Sequence, residues 1–504
     1  MQTEWNFDAL LKTDFKKERK EIEKAHFDFR DKWKNNSDYL KKPEVLKNAL
    51  DEYNNLFENY YGGGSEGYYY WLKQTQEENN VEIRAKYGEI SDFFIKLGNE
   101  IQFFSLNLGK ILEEKQKEFL ESKLLKEYKN FLKILFETAK YQLKEGEEKI
   151  LSLKSKPSYE LWTKMVSSLL AKETRIVLDE DGKKVEKTYP EMITLMMSQN
   201  KKVRDSSAKA FNEILDKYSD IAEFELNAIL EDKKINDELR GFSRADESRH
   251  KEDLIETEVV DTLIKSISTK GFEISRKFYK LKSKLLNLKK LKYYERNIEY
   301  GKIKGNFSYD NSVDLVRKVF YALDKKFGDI FESYIKNGQI DVFPKKGKSG
   351  GAFCQNWSVK HPTYILLNHT NKLNDVKTLA HELGHGINNE LMKEKQKAIN
   401  FNTPNSTAEV ASTFMEDFVL QELLKKVNEE EKLAVLFQKI EDDITTIMRQ
   451  VAIYNFEKEL HETYRKENYL SKDKIGKMFR KNMEDYMGEF VDCSECENWW
   501  IYWS

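Results

Sequence analysis

Two histidines and a glutamate in the C-terminal half of the chain form the pattern His-Glu-x-x-His: His381, Glu382 and His385. On a helix, side chains at i and i+4 share one face, so both imidazoles can bind one zinc ion at about 2.0–2.1 Å. Glu382 lies beside them, where its carboxylate can accept a proton from water activated by the metal. The pattern requires a helix, and apolar residues recur around it at helical spacing: Val376, Leu379, Ala380, Leu383, Ile387 and Leu391.

The alternative for the same residues is a pair of histidines on a helix surface beside a solvated glutamate. Gly384 and Gly386 argue against this alternative. Each glycine costs a helix interior about 1 kcal/mol relative to alanine, so we expect another part of the backbone to approach the helix closely there. The pattern therefore favours a metal centre, on a helix whose start Asn374 or Asp375 can cap.

A catalytic zinc site also needs a third protein ligand and an open position for water. The metzincin pattern requires glycine at 388 and histidine at 391. The chain has Asn388 and Leu391 instead, which excludes that class. The next candidate ligand is Glu409, 24 positions after His385.

Glu409 also has a purely structural interpretation. With Ser406 it forms the Ser-x-x-Glu pattern of a capping box, which would explain the glutamate without a metal. However, Glu409, Thr413 and Glu416 fall at i, i+4 and i+7, which is a polar stripe on an otherwise apolar helix. Polar groups on a face that should be buried need a polar partner. The spacing alone leaves both interpretations open.

The elements that must position these residues are predicted to be mostly helical. Long segments rich in Lys, Glu and Leu show apolar residues at three- and four-residue spacing. Residues 62–67, which are rich in glycine, predict a flexible turn between two such helices. Two islands depart from the helical pattern: a hairpin over residues 175–189, and two candidate strands within residues 341–367.

The composition restricts the possible functions. The chain has 85 Lys and Arg against 87 Asp and Glu, so there is no basic excess with which to bind nucleic acid. No run approaches the ~20 apolar residues of a membrane span, and the first twenty residues lack the apolar segment of a secretory signal. Three cysteines in 504 residues supply no disulfide framework, which favours a reducing compartment. We therefore expect a cytoplasmic protein without nucleic-acid or membrane partners.

Taken together, the motifs resemble the oligoendopeptidase F branch of the thimet-oligopeptidase family of zinc peptidases. The resemblance is carried by residues 381–385, by the interval to Glu409, and by residues 408–416 around that glutamate. It extends to residues 350–354 and 364–368 before the zinc helix, and to residues 3–8 at the N-terminus. It thus covers essentially the whole chain.

The resemblance implies a zinc-dependent oligoendopeptidase that contains one zinc ion and hydrolyses internal bonds of unfolded oligopeptides. By position, His381, His385 and Glu409 would be the zinc ligands, and Glu382 would be the general base. In that family the substrate-carrying strand lies beside the active site.

That strand corresponds to Gly351, Ala352 and Phe353. An extended substrate could add to its edge through backbone hydrogen bonds. The alternative is a buried hairpin that only packs against the zinc helix.

For the fold, the resemblance implies a mainly α protein. A large helical, bundle-like body would enclose a deep channel, with a small antiparallel β element next to the zinc helix. We expect an N-terminal helical domain over residues 1–170 and a catalytic zinc peptidase domain over residues 171–504. An enclosed site of this kind would admit unfolded oligopeptides and exclude folded proteins.

Two features depart from the family pattern. Asn388 stands where relatives often have another histidine, a minor difference because that position is not a ligand. The chain stops at Ser504, where the family continues into helices whose His and Tyr residues stabilise the oxyanion. We therefore expect a C-terminally incomplete catalytic domain that hydrolyses peptides poorly and exposes Trp499, Trp500 and Trp503. The alternative function is a zinc-binding peptide receptor or pseudo-peptidase with little turnover.

Overall fold

Helices make up most of the chain in the computed structural model, which describes residues 1–301, 303 and 305–502. The mainly α fold expected from the sequence is confirmed. Short 3₁₀ and π-helical turns extend or connect several of the helices. In chain order, the α-helices are α1 Asp8–Leu11, α2 Phe15–Trp33, α3 Pro43–Tyr60, α4 Gly64–Gln76, α5 Val81–Ile101, α6 Phe103–Gly109, α7 Glu113–Glu121, α8 Lys129–Ala139, α9 Glu145–Ser155, α10 Leu161–Leu170, α11 Tyr189–Leu195, α12 Lys201–Arg240, α13 Glu247–Glu252, α14 Thr257–Ser266, α15 Phe272–Leu285, α16 Tyr309–Leu323, α17 Lys325–Lys336, α18 Leu373–Lys395, α19 Asn405–Leu424, α20 Glu429–Asp443, α21 Gln450–Glu467 and α22 Lys472–Met487.

The strands are short and form small sheets. Strands β1 and β2 pair antiparallel around Asp181-Gly182, as the sequence predicts. Strand β5 pairs antiparallel with β6, and β4 pairs with the other side of β6 in parallel, so that β5 lies at the edge of this sheet. This is the β element expected before the zinc helix, whereas the parallel pair of β3 and β7 was not predicted. The strands are β1 Thr174–Leu178, β2 Lys184–Thr188, β3 Leu291–Lys292, β4 Ile340–Asp341, β5 Phe353–Gln355, β6 Tyr364–Leu366 and β7 Val491–Asp492.

The chain divides into two compact units, each built from two separate segments. Met1–Gln142 and Lys304–Val427 form the first unit, and Leu143–Ile303 and Asn428–Ser504 form the second. These units are defined by packing, whereas the domains expected from the sequence are defined by function. The division into residues 1–170 and 171–504 therefore stays a prediction.

Each unit has its own hydrophobic core. In the first unit, aromatic side chains from α2, α3 and α6 pack together, with Phe29, Tyr53 and Phe104 at the centre. In the second unit, Phe211 of α12 and Phe479 of α22 belong to one large core. Burial of such rings supplies much of the apolar surface that stabilises each unit.

The N-terminal stretch is tied to the small sheet of the first unit. The indole N–H of Trp5 donates a hydrogen bond to the backbone oxygen of Ile365 on β6, at 2.8 Å. The ring of Trp5 also packs against Phe353 and Tyr364, at centroid distances of 6.3 and 5.7 Å. The first residues of the chain therefore support the strands that precede α18.

The longest helix, α12, has a capping residue at each end. At its start the Asn200 side chain accepts a hydrogen bond from the backbone N–H of Lys202, and at its end Gly241 takes the left-handed conformation. Such caps satisfy backbone groups that the helix itself leaves unpaired. Neither this helix nor another among the described residues combines the length and apolarity needed to cross a membrane.

Residues 62–67 connect α3 to α4, as the sequence predicts, but they are packed into the first unit and do not form a free loop. Ser65, Glu66 and Gly67 belong to the first turn of α4 and are buried. The carboxylate of Glu18 on α2 accepts hydrogen bonds from the backbone N–H groups of Ser65 and Glu66, at 3.1 and 3.3 Å. A negative charge at this helix start satisfies donors that would otherwise need water. This contact is long-range, so the local glycine content could not reveal it.

Trp499 and Trp500 are buried, so the expected exposed aromatic patch is wrong for these two residues. Their exposed fractions are 3% and 2%. The Trp499 ring packs against Phe211 and Tyr293, at centroid distances of 4.7 and 5.0 Å. The core of the second unit thus covers them. Trp503 lies outside the described residues.

Candidate metal centre and active site

Helix α18 carries His381, Glu382 and His385, as the sequence predicts. Near its start, the carboxylate of Asp375 accepts a hydrogen bond from the backbone N–H of Lys372, at 2.9 Å. One of the two capping residues considered from the sequence therefore fixes the beginning of the helix. Both histidine side chains are about three-quarters buried, with exposed fractions of 27% and 21%.

The two glycines of the motif permit close contacts with α18. A Cβ atom at Gly384 would lie 2.6 Å from the Cα of Ser412 and 2.7 Å from the backbone oxygen of Ala411, both on α19. A Cβ atom at Gly386 would lie 2.9 Å from the hydroxyl of Tyr334. The close backbone approach expected from the sequence is confirmed at Gly384, where α19 packs directly against α18, whereas the neighbour at Gly386 is a side chain.

We expect Gly384→Ala to lower the free energy of unfolding by about 1–3 kcal/mol, because the added methyl group forces α18 and α19 apart. Urea unfolding followed by circular dichroism measures the change. Gly98→Ala on α5 is the matched control, since a Cβ atom there meets nothing within 4 Å. Helix propensity predicts that this control gains about 0.5–1 kcal/mol. A Gly384→Ala variant as stable as the wild type would contradict the tight contact.

The side chains of His381, His385 and Glu409 converge between α18 and α19. Nε2 of His381 lies 3.2 Å from Oε2 of Glu409, and Nε2 of His385 lies 3.3 Å from the same oxygen. The three candidate ligand atoms all lie within 4.8 Å of one another. Two imidazole nitrogens and one carboxylate oxygen at these separations could hold a metal ion, and this donor set suits zinc.

The capping interpretation of Glu409 does not match the start of α19. The helix begins at Asn405 with Pro404 as its N-cap residue, so Ser406 already lies inside the first turn. The Glu409 carboxylate instead accepts a hydrogen bond from the Ser412 hydroxyl at 2.7 Å. This contact leaves the same carboxylate next to the two histidines.

Further groups orient the two imidazole rings. Nδ1 of His381 lies 3.3 Å from Oε2 of Glu416, one of the polar stripe residues on α19. Nζ of Lys377, which is buried, lies 3.9 Å from the other carboxylate oxygen of Glu416. The backbone of Ala408 lies close to the His385 ring. Partners of this kind fix the ring orientation of metal-binding histidines and leave the other ring nitrogen free for the metal.

These contacts also affect the pKa values of the two histidines. Burial alone would lower the pKa of His381, but the hydrogen bond with Glu416 and the charges of Glu382 and Glu409 together raise that pKa above its ordinary value. Burial lowers the pKa of His385, and the charge of Glu409 offsets part of the change. Only the neutral ring binds a metal, so His385 is already disposed to act as a ligand near neutral pH.

We expect Glu416→Gln to weaken metal affinity by about 10–100-fold, because the neutral amide holds the His381 ring less strongly than the carboxylate does. Competition with a chromogenic chelator measures the dissociation constant for zinc. Asp417→Asn is the matched control, since it removes the same charge from the next position on α19, where the carboxylate contacts Gln421. Equal affinities in the two variants would mean that Glu416 does not orient the ring.

Glu382 is buried beside the candidate ligands, with 6% of its surface exposed. Burial raises the pKa of its carboxyl group to about 7, although the nearby His381 counteracts part of this effect. A carboxyl group whose pKa lies near neutral pH can both accept and release a proton there. Glu382 therefore has the properties of a general base at this position.

Strand β5 and the residues before it lie along α18. The Asn368 side chain donates a hydrogen bond to the backbone oxygen of Gly351 at 2.8 Å. Gly351 and Ala352 line a cavity of about 210 Å³ together with Asn374 and Thr378 near the start of α18. Phe353 instead packs its ring into the aromatic cluster around Trp5. The structure thus brings two of the three predicted substrate-binding residues to a cavity beside α18.

Comparison with known families decides the classification. The family model described as peptidase family M3 matches residues 194–499, which is more than half of the chain. The chain belongs to peptidase family M3. A second model, described as oligopeptidase F, matches residues 108–172 of this M3 peptidase. The resemblance found in the motifs is confirmed, and peptides are the class of substrate.

Relatives of this M3 peptidase have diverged widely in sequence. Oligoendopeptidase F (plasmid) of Lactococcus lactis subsp. cremoris is 24% identical over 423 residues, which are 82% of this chain and 69% of the relative. Oligopeptidase PepF of Bacillus subtilis is 23% identical over 427 residues, or 84% of this chain and 63% of the relative. The crystal structure of oligoendopeptidase-F from Enterococcus faecium matches with a TM-score of 0.68 at 16% identity, covering 97% of this chain and 82% of that one. The structural match supports the fold.

The sequence did not assign three contributors to the site of this M3 peptidase. Glu416 was noticed only as part of a polar stripe, and the stripe was the signal that could have linked it to His381. Lys377 precedes His381 by four positions, so helical periodicity places both on one face. Ala408 acts through its backbone, which no pattern of side chains can reveal.

Proposed function

We propose that this chain is a zinc-dependent oligoendopeptidase, which hydrolyses internal bonds of unfolded oligopeptides. The observation that carries the proposal is the convergence of His381, His385 and Glu409 within 4.8 Å, with the buried carboxyl group of Glu382 on the same helix. The family makes the chain a peptidase, and the names of its relatives support oligopeptides as substrates.

His381, His385 and Glu409 would hold the single zinc ion. Bound there, zinc would supply a Lewis acid that acidifies water and polarises a peptide carbonyl group. Glu416 and the backbone of Ala408 would keep the two rings in the orientation that binding requires. The donor set of two nitrogens and one oxygen leaves room for water or substrate, as a catalytic site needs.

Glu382 would move the proton. Its carboxylate would accept a proton from the attacking water and then donate it to the nitrogen of the leaving amine. The pKa of about 7 that burial gives Glu382 suits both halves of this transfer. The charges of His381 and Glu409 both affect the pKa of Glu382, which is consistent with a carboxyl group close to the candidate ligands.

The peptide substrate would lie along β5. This strand pairs with β6 on one side only and forms the edge of its sheet among the described residues. An edge strand can bind an extended peptide through backbone hydrogen bonds, so Gly351, Ala352 and Phe353 would contact the substrate mainly through their backbone. Enclosure of the site in a channel stays a prediction of the resemblance.

A cytoplasmic location is part of the proposal. All three cysteines are free thiols in the structure, and Cys493 and Cys496 are buried close together without a disulfide. Unpaired thiols of this kind are typical of a reducing compartment.

Mass spectrometry of peptide products tests the proposed function. The protein is incubated with a ten-residue peptide that is blocked at both ends, with and without a zinc chelator. We expect internal cleavage that the chelator abolishes and added zinc restores. An intact peptide in the zinc-loaded sample, together with measurable peptide binding, would instead support a peptide receptor.

A further inference from the structure

A second cavity lies among the N-terminal helices of the first unit, outside the candidate metal centre. Its volume is about 390 Å³, within the range of about 300–1,000 Å³ that is typical of sites for small ligands. Aromatic rings form much of its wall: Tyr53 and Phe57 of α3, Tyr61, and Phe94 of α5. None of the described residues that line it carries a charged side chain at neutral pH.

Polar side chains also line the cavity, among them those of Asn99, Gln102, Ser105 and the buried His26. His26 of α2 lines the cavity and is only 2% exposed. Its Nδ1 lies 2.8 Å from the backbone oxygen of Ile22, which is an acceptor, so Nδ1 carries the hydrogen and donates. Burial lowers the pKa of His26 and keeps its ring neutral. Nε2 is therefore a hydrogen-bond acceptor, and it has no partner among the described residues.

The chemistry of the cavity defines what it can bind. Aromatic walls favour a flat apolar ring, and the Nε2 acceptor favours a ring that carries one donor. Charged groups would lose their hydration without gaining an opposite charge. A phenol or an indole, the rings of tyrosine and tryptophan, meets these requirements.

Packing contacts connect the cavity to β5, the strand proposed to bind the peptide. Trp357 follows the end of β5 by two residues, and its indole N–H donates to the backbone oxygen of Tyr61 at 3.1 Å. The rings of Trp357 and Tyr61 are also in contact, with 5.9 Å between their centroids. Tyr61 in turn lines the cavity. A peptide that runs along β5 past Gln355 would thus reach the cavity with a side chain.

We infer that this cavity binds a tyrosine or tryptophan side chain of the peptide substrate, away from the bond that is cut. The inference rests on the proposed function, because it takes β5 as the strand that aligns the peptide. It adds a preference for a residue at a distance from the metal centre. The preference concerns binding and leaves the chemical step unchanged.

Peptide binding to the Glu382→Gln variant tests the inference without hydrolysis. One tyrosine is moved along a ten-residue peptide of alanine and serine, and fluorescence anisotropy gives each dissociation constant. We expect one position at which tyrosine strengthens binding by at least about tenfold over alanine. Phenylalanine at that position should bind about 2–10-fold more weakly than tyrosine, because it lacks the donor for His26. Equal binding at all positions would overturn the inference.

Two substitutions locate the effect in the cavity. Gly98 lines the cavity, and a Cβ atom there meets nothing within 4 Å, so Gly98→Phe fills the space and should abolish the preference for tyrosine. Gly88→Phe adds the same ring to the same helix outside the cavity, where a Cβ atom is equally unobstructed, and should retain the preference. An unchanged preference in Gly98→Phe would contradict the assignment.

His26→Phe provides the second, independent variant. It should remove the difference between tyrosine and phenylalanine and keep the advantage of both over alanine. Binding of free 4-methylphenol is measured as well. If it binds in the cavity while tyrosine strengthens peptide binding at no position, the peptide is not the occupant and the inference is overturned. Peptide binding is measured directly and does not depend on hydrolysis. A protein that binds tyrosine peptides but does not hydrolyse them would therefore contradict the proposed function and leave this inference standing.

Discussion

Replacement of Glu382 by glutamine is expected to lower kcat for peptide hydrolysis by about 10²–10⁴-fold while zinc content stays at one ion per chain. Glutamine has nearly the same shape and fits the same buried position, but it cannot accept the proton of the attacking water. The dissociation constant of an intact peptide should change little. Steady-state kinetics with an internally quenched peptide, together with metal analysis, measures both properties.

Glu394→Gln is the matched control for this variant. Glu394 lies on the same helix, is exposed, and pairs with Lys326 away from the candidate ligands. We expect this control to hydrolyse peptides at the wild-type rate. Unchanged hydrolysis in Glu382→Gln would place the general base elsewhere, and loss of zinc from that variant would make Glu382 structural.

Alanine in place of His381, His385 or Glu409 is expected to remove stoichiometric zinc and to reduce hydrolysis to background. Each substitution deletes one of three atoms that lie within 4.8 Å of one another, and two remaining ligands hold zinc far more weakly. The helical fold should persist, because the apolar side chains of the cores, and not the three candidate ligands, supply the buried surface that stabilises each unit. Plasma emission spectrometry after dialysis measures the zinc, and circular dichroism checks the fold.

Asp417→Ala is the control for Glu409→Ala, since it removes a carboxylate from the same helix without touching either histidine. It should retain one zinc ion per chain. Stoichiometric zinc in Glu409→Ala would show that the third ligand is a different residue.

The sequence was sufficient to predict the helix that carries the candidate ligands. His381 and His385 are four positions apart, and helical geometry places residues at that spacing on one face. The amphipathic pattern around them was enough to predict the helix. The two motif glycines were equally informative, because a glycine in a helix interior needs a packing reason. At Gly384 that reason is the backbone of α19.

Contacts between distant segments could not be predicted in the same way. Glu18 caps α4 across 47 positions of sequence, and no local pattern distinguishes it from other exposed glutamates. The burial of Trp499 depends on Phe211, which lies on another segment of the second unit. Glu409 was ambiguous because the Ser-x-x-Glu spacing suits a capping box as well as a metal ligand, and only the observed start of α19, at Asn405, places Glu409 beyond the first turn.

Stepwise addition of zinc to the metal-free protein, with peptide turnover recorded at each step, tests most directly whether one zinc ion at His381, His385 and Glu409 drives hydrolysis. We predict that turnover rises in proportion to added zinc and stops rising at one equivalent. In Glu382→Gln the same single equivalent should bind with almost no rise in turnover. Full turnover by the metal-free protein, or a rate that keeps increasing well beyond one equivalent, would contradict this account.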